Sequence, residues 1–464
     1  MENMFAKQIY INRRKKLKTS VGSGLILFLG NEESSMNYKD NFYHFRQDSS
    51  FLYFFGIDRP GVSAAIDIDQ DKEILFGEDP TIEQMVWTGF RESLQVQAEK
   101  AGIPLVKSIK DFEPLVRKAR NENQKIHFLP PYRLEHIEKM CFVLGVLPDL
   151  LPKMVSETLI KSIVAQRSLK SGEEVEQITK AVNVSVDMQL KAMTIAKEGM
   201  TECRIAGEIH GIAIGTGGNL SFPTILTMNG QILHNSYSNK LLRKGSMVLC
   251  DCGAETAMHY AGDLTRTFPV SSFFNTIQRE IYDIVLQAHQ AAVQMLKPGI
   301  LFKDVHLHAC EKLTKGLQQL GIMKGDASES VAQGAHALFF PCGLGHMMGL
   351  DTHDMENLGE RYVGYNDEIK KSTQFGLKSL RLARVLETGF VITVEPGLYF
   401  IPELIDQWAS ENRFRSFINY EKLKHYKSLG GIRVEEDFLI TSSGSLLLGK
   451  PLPCLLYTSD AADE

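Results

Sequence analysis

Four stretches of this chain read as buried β-strand, and a carboxylate breaks or bounds each of them. Asp251 interrupts MVLCDCG, Asp263 opens DLTRTFPV, Glu395 interrupts VITVEPG, and Glu435 follows GIRV. A lone carboxylate in such a place costs several kcal/mol unless a cation or a donor compensates it. Whatever fold buries these strands must supply that compensation four times.

A fifth group completes the pattern. GLGHMMGLDTHD, residues 343–354, sets His346 and His353 seven positions apart among glycines. Singly, each histidine is an ordinary core or surface residue, and each acid an ordinary cap or turn. Together Asp251, Asp263, His346, Glu395 and Glu435 make an oxygen-rich donor set with one imidazole, which suits Mn²⁺, Co²⁺, Fe²⁺ or Zn²⁺. Around one ion, four carboxylates leave excess negative charge, so two divalent ions is the balanced count. Two such ions about 3.5–4 Å apart hold a bridging hydroxide and polarise a carbonyl. Other charged runs have plainer readings. DEIKK at 367–371, EKLKHYK at 421–427 and RRKKLK at 13–18 read as solvated helix faces. In CDC at 250–252, strand alternation turns both cysteines away from the face that carries Asp251.

The length, 464 residues, predicts two domains. With 51 basic against 56 acidic residues, the net charge of −5 gives no reason to expect nucleic acid as a partner. LILFLG at 25–30 is too short for a membrane span or a signal-peptide core, so no membrane association is expected. Seven scattered cysteines fit a reducing cytoplasm.

Residues 1–160 alternate short strands (GLILFLG, GVSAAIDID, KEILFG) with helical patterns such as LEHIEKMCFVLGVL, an α/β domain. Ser171 and Glu174 then form a capping box, followed by Val175, Ile178, Val182, Val186, Leu190 and Met193 at spacings of three and four. The boundary is placed just before this helix, giving a second domain over 161–453. There Ile277, Ile281, Ile284, Ala288, Ala292 and Met295 mark another helix, ended by KPG at 297–299. Strand candidates SMVLCDCGAE, TRTFPV, FVITVEPGLYF and GIRVEEDFLIT predict helices on a curved, mainly antiparallel sheet, an α+β class. CLLYTSDAADE at 454–464 fits nothing before it; it resembles a translated sequencing adapter and is set aside as a non-native tail.

DCGAE…YAGDLTRTFPV, GLGHMMGLDTHD, VITVEPGLYF and GIRVEEDFLIT resemble, in order, the metal-ligand motifs of the pita-bread metallopeptidases, and among them aminopeptidase P, the Xaa-Pro aminopeptidases. FRQDSSFLYFFGIDRP at 45–60 resembles the signature of that family's N-terminal domain. The resemblance runs to about residue 452. It implies a pita-bread catalytic domain and a metallo-aminopeptidase that cleaves before a proline at the second position. Its metal ligands would be Asp251, Asp263, His346, Glu395 and Glu435, with Mn²⁺ the foremost ion. It makes Glu395 the general base as well, His353 the donor to the substrate carbonyl, His234 a second substrate-side histidine and Arg433 an active-site arginine. It also implies a homo-oligomer, dimer or tetramer. Proline fixes φ and lacks an N–H, which is why its bond needs a dedicated pocket.

The chain departs from the family pattern in three places. Asp251 and Asp263 lie 12 apart (263 − 251), one more than the common form, so the hairpin tip must absorb a residue, for instance as a bulge. Cys342 stands where the commonest version has a histidine on the proline side of the substrate. The segments from His353 to Glu395 and from Glu395 to Glu435 are longer than in compact relatives. The alternatives are a prolidase restricted to Xaa-Pro dipeptides and, from another class, a metal-free pita-bread protein that serves as a binding module or hydrolyses creatine. Five intact ligands weigh against the second.

Overall fold

Apolar runs early in the chain form one mixed sheet. In the computed structural model, which describes residues 4–270 and 273–453, these are β1 (Leu25–Leu29), β2 (Ser63–Asp67), β3 (Lys72–Phe76), β4 (Leu105–Lys107) and β5 (Ile126–His127). Their order is β4-β3-β2-β1-β5, antiparallel at β1–β2 and β2–β3 and parallel at β1–β5 and β3–β4. Helices Phe112–Asn121 and Leu134–Leu144 close over it through Val116, Met140 and Val143, against Leu25, Leu27, Ile74 and Phe76. This α/β unit comprises Met1–Arg167 with Met355–Tyr362; a second compact unit runs over Ser168–Asp354 and from Val363 onward. The stretch 454–464 lies outside the described residues.

The basic run at 13–18 is a solvated face only in part: Lys15 and Lys16 are exposed, but Arg13 and Arg14 are buried. It lies in the helix Lys7–Val21, where Arg14 is fully buried. Its guanidinium donates to the carbonyls of Phe54, Ala101 and Gly102, at the C-terminal ends of helices Ser49–Phe55 and Leu94–Ala101, and pairs with Glu73 at 2.7 Å. Helix ends leave carbonyls without intrahelical partners, and an arginine fork can satisfy several at once.

In the second unit every strand pair among the described residues is antiparallel. Its strands are β6 (Asn219–Leu220), β7 (Ile225–Met228), β8 (Met247–Cys252), β9 (Ala254–Glu255), β10 (Leu264–Pro269), β11 (Val391–Val394), β12 (Gly397–Tyr399), β13 (Gly431–Arg433), β14 (Glu436–Ile440) and β15 (Ser445–Leu447). They form the sheets β10-β8-β7, β11-β14-β15, β12-β13 and β6-β9. A bridge between Thr265 and Glu435 joins the first sheet to the chain leading into β14. Helices cover this curved surface, as the α+β class requires. Gly172–Ile195 begins at the expected Ser171–Glu174 capping box and buries Ile178, Val182, Val186 and Ala192; Leu190, expected on that face, is 38% exposed. Cys250 and Cys252 point into this helix-backed core with Met188, Ala192, Ile205 and Ile209. Asp251 is therefore on the opposite face.

Three expected strands each divide in two, SMVLCDCGAE into β8 and β9 with Gly253 between. FVITVEPGLYF becomes β11 and β12, with Glu395 and Pro396 between; GIRVEEDFLIT becomes β13 and β14, with Val434 and Glu435 between. β11 pairs with β14 and β12 with β13, so the same two chains leave one sheet and enter another at the two glutamates. Pro396 has no N–H to give the ladder, which favours the break there. The supposed helix face at 367–371 is also absent. The Asn366 side chain accepts from the amides of Glu368 and Ile369, a local turn that competes with helix.

Candidate metal centre

The register of the β8–β10 hairpin sets two carboxylates on one face. Asp251 lies opposite Thr265, and Asp263 precedes Thr265 by two, so the acids are diagonal neighbours. The hairpin continues past β8 to a tip where Thr256 N–H donates to Tyr260 and His259 N–H to Thr256. His259 takes φ 65° there. The tip is thus a three-residue loop, in the turn-plus-left-handed form common for such connections. Gly253 permits it, because a Cβ at that position would collide with the Gly262 carbonyl.

Leu344–Met348 runs beside β11. His346 N–H donates to Thr393 Oγ1, Thr393 N–H to the His346 carbonyl at 3.0 Å, and Glu395 N–H to the Leu344 carbonyl at 2.7 Å. The approach needs a glycine at 345, where a Cβ would strike the Thr393 carbonyl. The glycine-rich stretch is therefore a backbone requirement for bringing His346 up to the sheet. His346 Nδ1 lies 3.0 Å from the Met347 carbonyl. A donor role for Nδ1 leaves the lone pair on Nε2.

That Nε2 stands 3.3 Å from Asp263 Oδ2 and 3.7 Å from Glu395 Oε1. Ligand atoms of Asp263, His346 and Glu435 all lie within 4.8 Å of one another, and all three residues are buried. Arg433 Nη2 donates to Asp251 Oδ2 at 2.5 Å, which ties the fourth carboxylate to the group. Oδ1 of Asp251 is buried and has no hydrogen-bond partner.

The electrostatics are those of a site with too many anions. Burial, then repulsion from Asp251, Asp437 and Glu395, holds the Asp263 carboxyl well above the usual carboxylate range. Glu435 is raised by burial and by Asp263, Glu395 and Asp251. Burial also raises Glu395, opposed first by His346. Four carboxylates against the Arg433 guanidinium leave −3 (−4 + 1). The unpartnered Asp251 oxygen, the His346 Nε2 set among the carboxylates and this surplus charge fit divalent cations bound among the five residues.

Sequence reasoning did not pick out several supporting groups. Thr265, opposite Asp251 and bridged to Glu435, donates to Glu435 Oε2 at 2.6 Å and accepts from Arg433 Nε at 3.0 Å. Tyr399 OH accepts from Arg433 Nη1 at 2.8 Å. With period-two alternation from Glu395, Tyr399 was findable; Thr265 had no signal short of the register. Asp437 accepts from the Asp263 amide at 3.1 Å.

The remaining expected residues gather at the same place. His353 packs against His346. His234 is an exposed residue whose basicity falls through desolvation and then through the charges of Arg433 and Arg381, with Asp251 and His353 also acting on it. Arg381, between His353 and Glu395, was not anticipated. Cys342 stays a thiol: burial, then the nearby Glu395, pushes it up to about 12.

Comparison with known proteins agrees with this geometry. Residues 176–442 match the model of metallopeptidase family M24, and residues 10–127 that of the aminopeptidase P N-terminal domain. The human Xaa-Pro dipeptidase is 30% identical over 94% of this chain and 87% of its own length. The Xaa-Pro aminopeptidase of Escherichia coli strain K12 is 30% identical over 95% of this chain and 94% of its own. Among solved structures, aminopeptidase P from E. coli with the inhibitor Pro-Leu superposes with a TM-score of 0.77 at 28% identity, covering 96% of this chain and 95% of that one. Proline aminopeptidase P II from Yersinia pestis gives 0.77 at 27% identity, covering 96% of each. With the ligand motifs assembled on a pita-bread fold, the chain belongs to metallopeptidase family M24, as a hydrolase of the Xaa-Pro peptidase type.

Proposed function

We propose that this chain is an aminopeptidase that uses two divalent cations to hydrolyse the bond between an N-terminal residue and a following proline. The observation that carries the reading is the convergence of Asp263, His346 and Glu435 beside Glu395 and the Arg433-tethered Asp251. Those five residues would hold the cations, with Mn²⁺ foremost and Co²⁺, Fe²⁺ or Zn²⁺ acceptable to the same donors. When bound, such ions supply Lewis acidity and make a water acidic enough to attack at neutral pH.

The protein's own groups do the rest. Glu395, at the break between β11 and β12, takes the proton of the attacking water on its carboxylate and returns it to the proline nitrogen as the bond breaks. Buried and crowded, it is readier to hold a proton than an exposed glutamate. His353 donates an N–H to the carbonyl oxygen as charge develops. His234 lines the substrate side. Arg433 already donates to Asp251, Thr265 and Tyr399, and two of its five N–H groups remain for the substrate. Seven scattered cysteines favour a reducing compartment, and the cytoplasm is the assignment. No helix among the described residues is long and apolar enough to cross a membrane. A homodimer or tetramer is carried over from the family resemblance.

A prolidase reading is favoured by the human dipeptidase, a match of equal identity. The fuller coverage of the bacterial aminopeptidase supports the first reading. Steady-state kinetics on matched Xaa-Pro and Xaa-Pro-Yaa peptides under Mn²⁺ separate them. Cleavage of the tripeptides is expected; hydrolysis confined to dipeptides would move the assignment to prolidase.

A further inference from the structure

We infer that His306, Cys310 and His336 form a second metal site, which takes a thiophilic cation of the Zn²⁺ or Cu⁺ kind. His306 and Cys310 are four apart on the helix Phe302–Gln319, and so share one face. His336 comes from the short turn Ala335–Leu338, which packs on that helix. One ligand atom from each lies within 4.8 Å of the others, and all three residues are buried, His306 and Cys310 completely.

An ordinary thiol–imidazole contact accounts for only part of this cluster. His306 Nε2 lies 3.5 Å from Cys310 Sγ, but His306 Nδ1 and both nitrogens of His336 lack a hydrogen-bond partner. Buried imidazole nitrogens rarely go unpaired, because desolvation is then uncompensated. The Val331 carbonyl faces the His336 ring without making a good hydrogen bond. It is placed as the outer partner that would fix the tautomer of a ligating imidazole.

The chemistry differs from that of the catalytic set. Two imidazoles and a sulfur are borderline-to-soft donors, whereas the four carboxylates are hard. On binding, the Cys310 S–H bond breaks, sulfur binds the cation and the proton leaves to solvent. The resulting thiolate neutralises Cu⁺ fully and Zn²⁺ by half, and the site therefore discriminates against hard ions such as Mn²⁺. No reaction is assigned to it; its role is to lock the helix Phe302–Gln319 to the turn Ala335–Leu338, a few residues before the His346 loop.

The test uses full-length, metal-stripped protein under reducing conditions. One sample is titrated with Co²⁺, the spectroscopic stand-in for Zn²⁺, and a second with Cu⁺ delivered from a chelator of known affinity. A thiolate-to-cobalt charge-transfer band, or transfer of one Cu⁺ per chain, is expected in wild type. Either signal should vanish in Cys310→Ser and in His336→Asn, and persist in Cys342→Ser, whose thiol faces the catalytic set. No signal with either ion, or a signal that survives Cys310→Ser, overturns the proposal. Should Cys310→Ser fail to fold, His336→Asn with the wild-type titration decides it. The readout does not depend on peptidase activity, so its failure leaves the proposed function standing.

Discussion

The imidazole of His353 meets that of His346 edge-on, with ring centroids 4.3 Å apart and planes at 71°. Two histidines seven residues apart are thus in contact, and His346 Nε2 lies 3.3 Å from Asp263 Oδ2. Their alanine variants should fail differently. His346→Ala is expected to lose both metal and activity. His353→Ala should keep its metal and lose roughly 10²-fold in kcat, the scale for one oxyanion donor. Metal content and kcat measured on the same preparations check this, and an emptied site in His353→Ala would contradict the assigned role.

Chelation should abolish peptidase activity, and Mn²⁺ or Co²⁺ should restore it. After reloading with Mn²⁺, elemental analysis should find close to two Mn per chain. Full activity in rigorously metal-free protein would refute the reading.

Lys170 Nζ and Asp354 Oδ2 form an ion pair at 2.7 Å with both side chains 1% exposed. Asp354 also ties its own loop, donating its amide to the Met347 carbonyl. Removing one member of a buried pair takes away most of the compensation of the other charge and is strongly destabilising, by up to about 3–5 kcal/mol. Lys170→Met should therefore lower the urea midpoint markedly, whereas the exposed Lys424→Met should leave it nearly unchanged.

His289, a buried imidazole 3.8 Å from Glu436, offers a pH test. Burial lowers it from 6.5 to about 4, with Glu436 opposing and Arg266 assisting. Between those values the unfolded chain binds a proton that the folded protein refuses, so stability falls as pH drops from 6.5 toward 4. Going from pH 7 to 5.5, this one group should remove about 1 kcal/mol. Urea melts at the two pH values, compared between wild type and His289→Gln, should show a shallower loss in the variant. An identical slope in both would exclude His289 as a contributor.

Much of the centre was legible because burial and charge conflict in the sequence itself. A carboxylate inside MVLCDCG or VITVEPG needs a reason, and the four acids chosen on that ground converge with His346. What escaped depends on information that local pattern lacks. Thr265 matters through its register opposite Asp251 and its bridge to Glu435. The division of two strands at Glu395 and Glu435 depends on which chain pairs with which. The burial of Arg14 was hidden because a basic run looks alike whether water or helix-end carbonyls receive it. The cluster at His306, Cys310 and His336 joins a helix to a turn 26 residues away (336 − 310), a distance at which spacing carries no message.

The bridge from Thr265 to Glu435 brings together residues 170 apart (435 − 265), and the first and last ligands are 184 apart (435 − 251). Contacts of such long range form late, since loop closure must be met before they stabilise anything. During synthesis, then, a ribosome must have released Glu435 before the centre exists at all. A chain cut between β12 and β13 would carry Asp251, Asp263, His346 and Glu395 but lack Glu435 to finish the cage. Acquisition of the catalytic ions becomes the closing event of maturation, and a stalled or clipped product betrays itself by its inability to retain them.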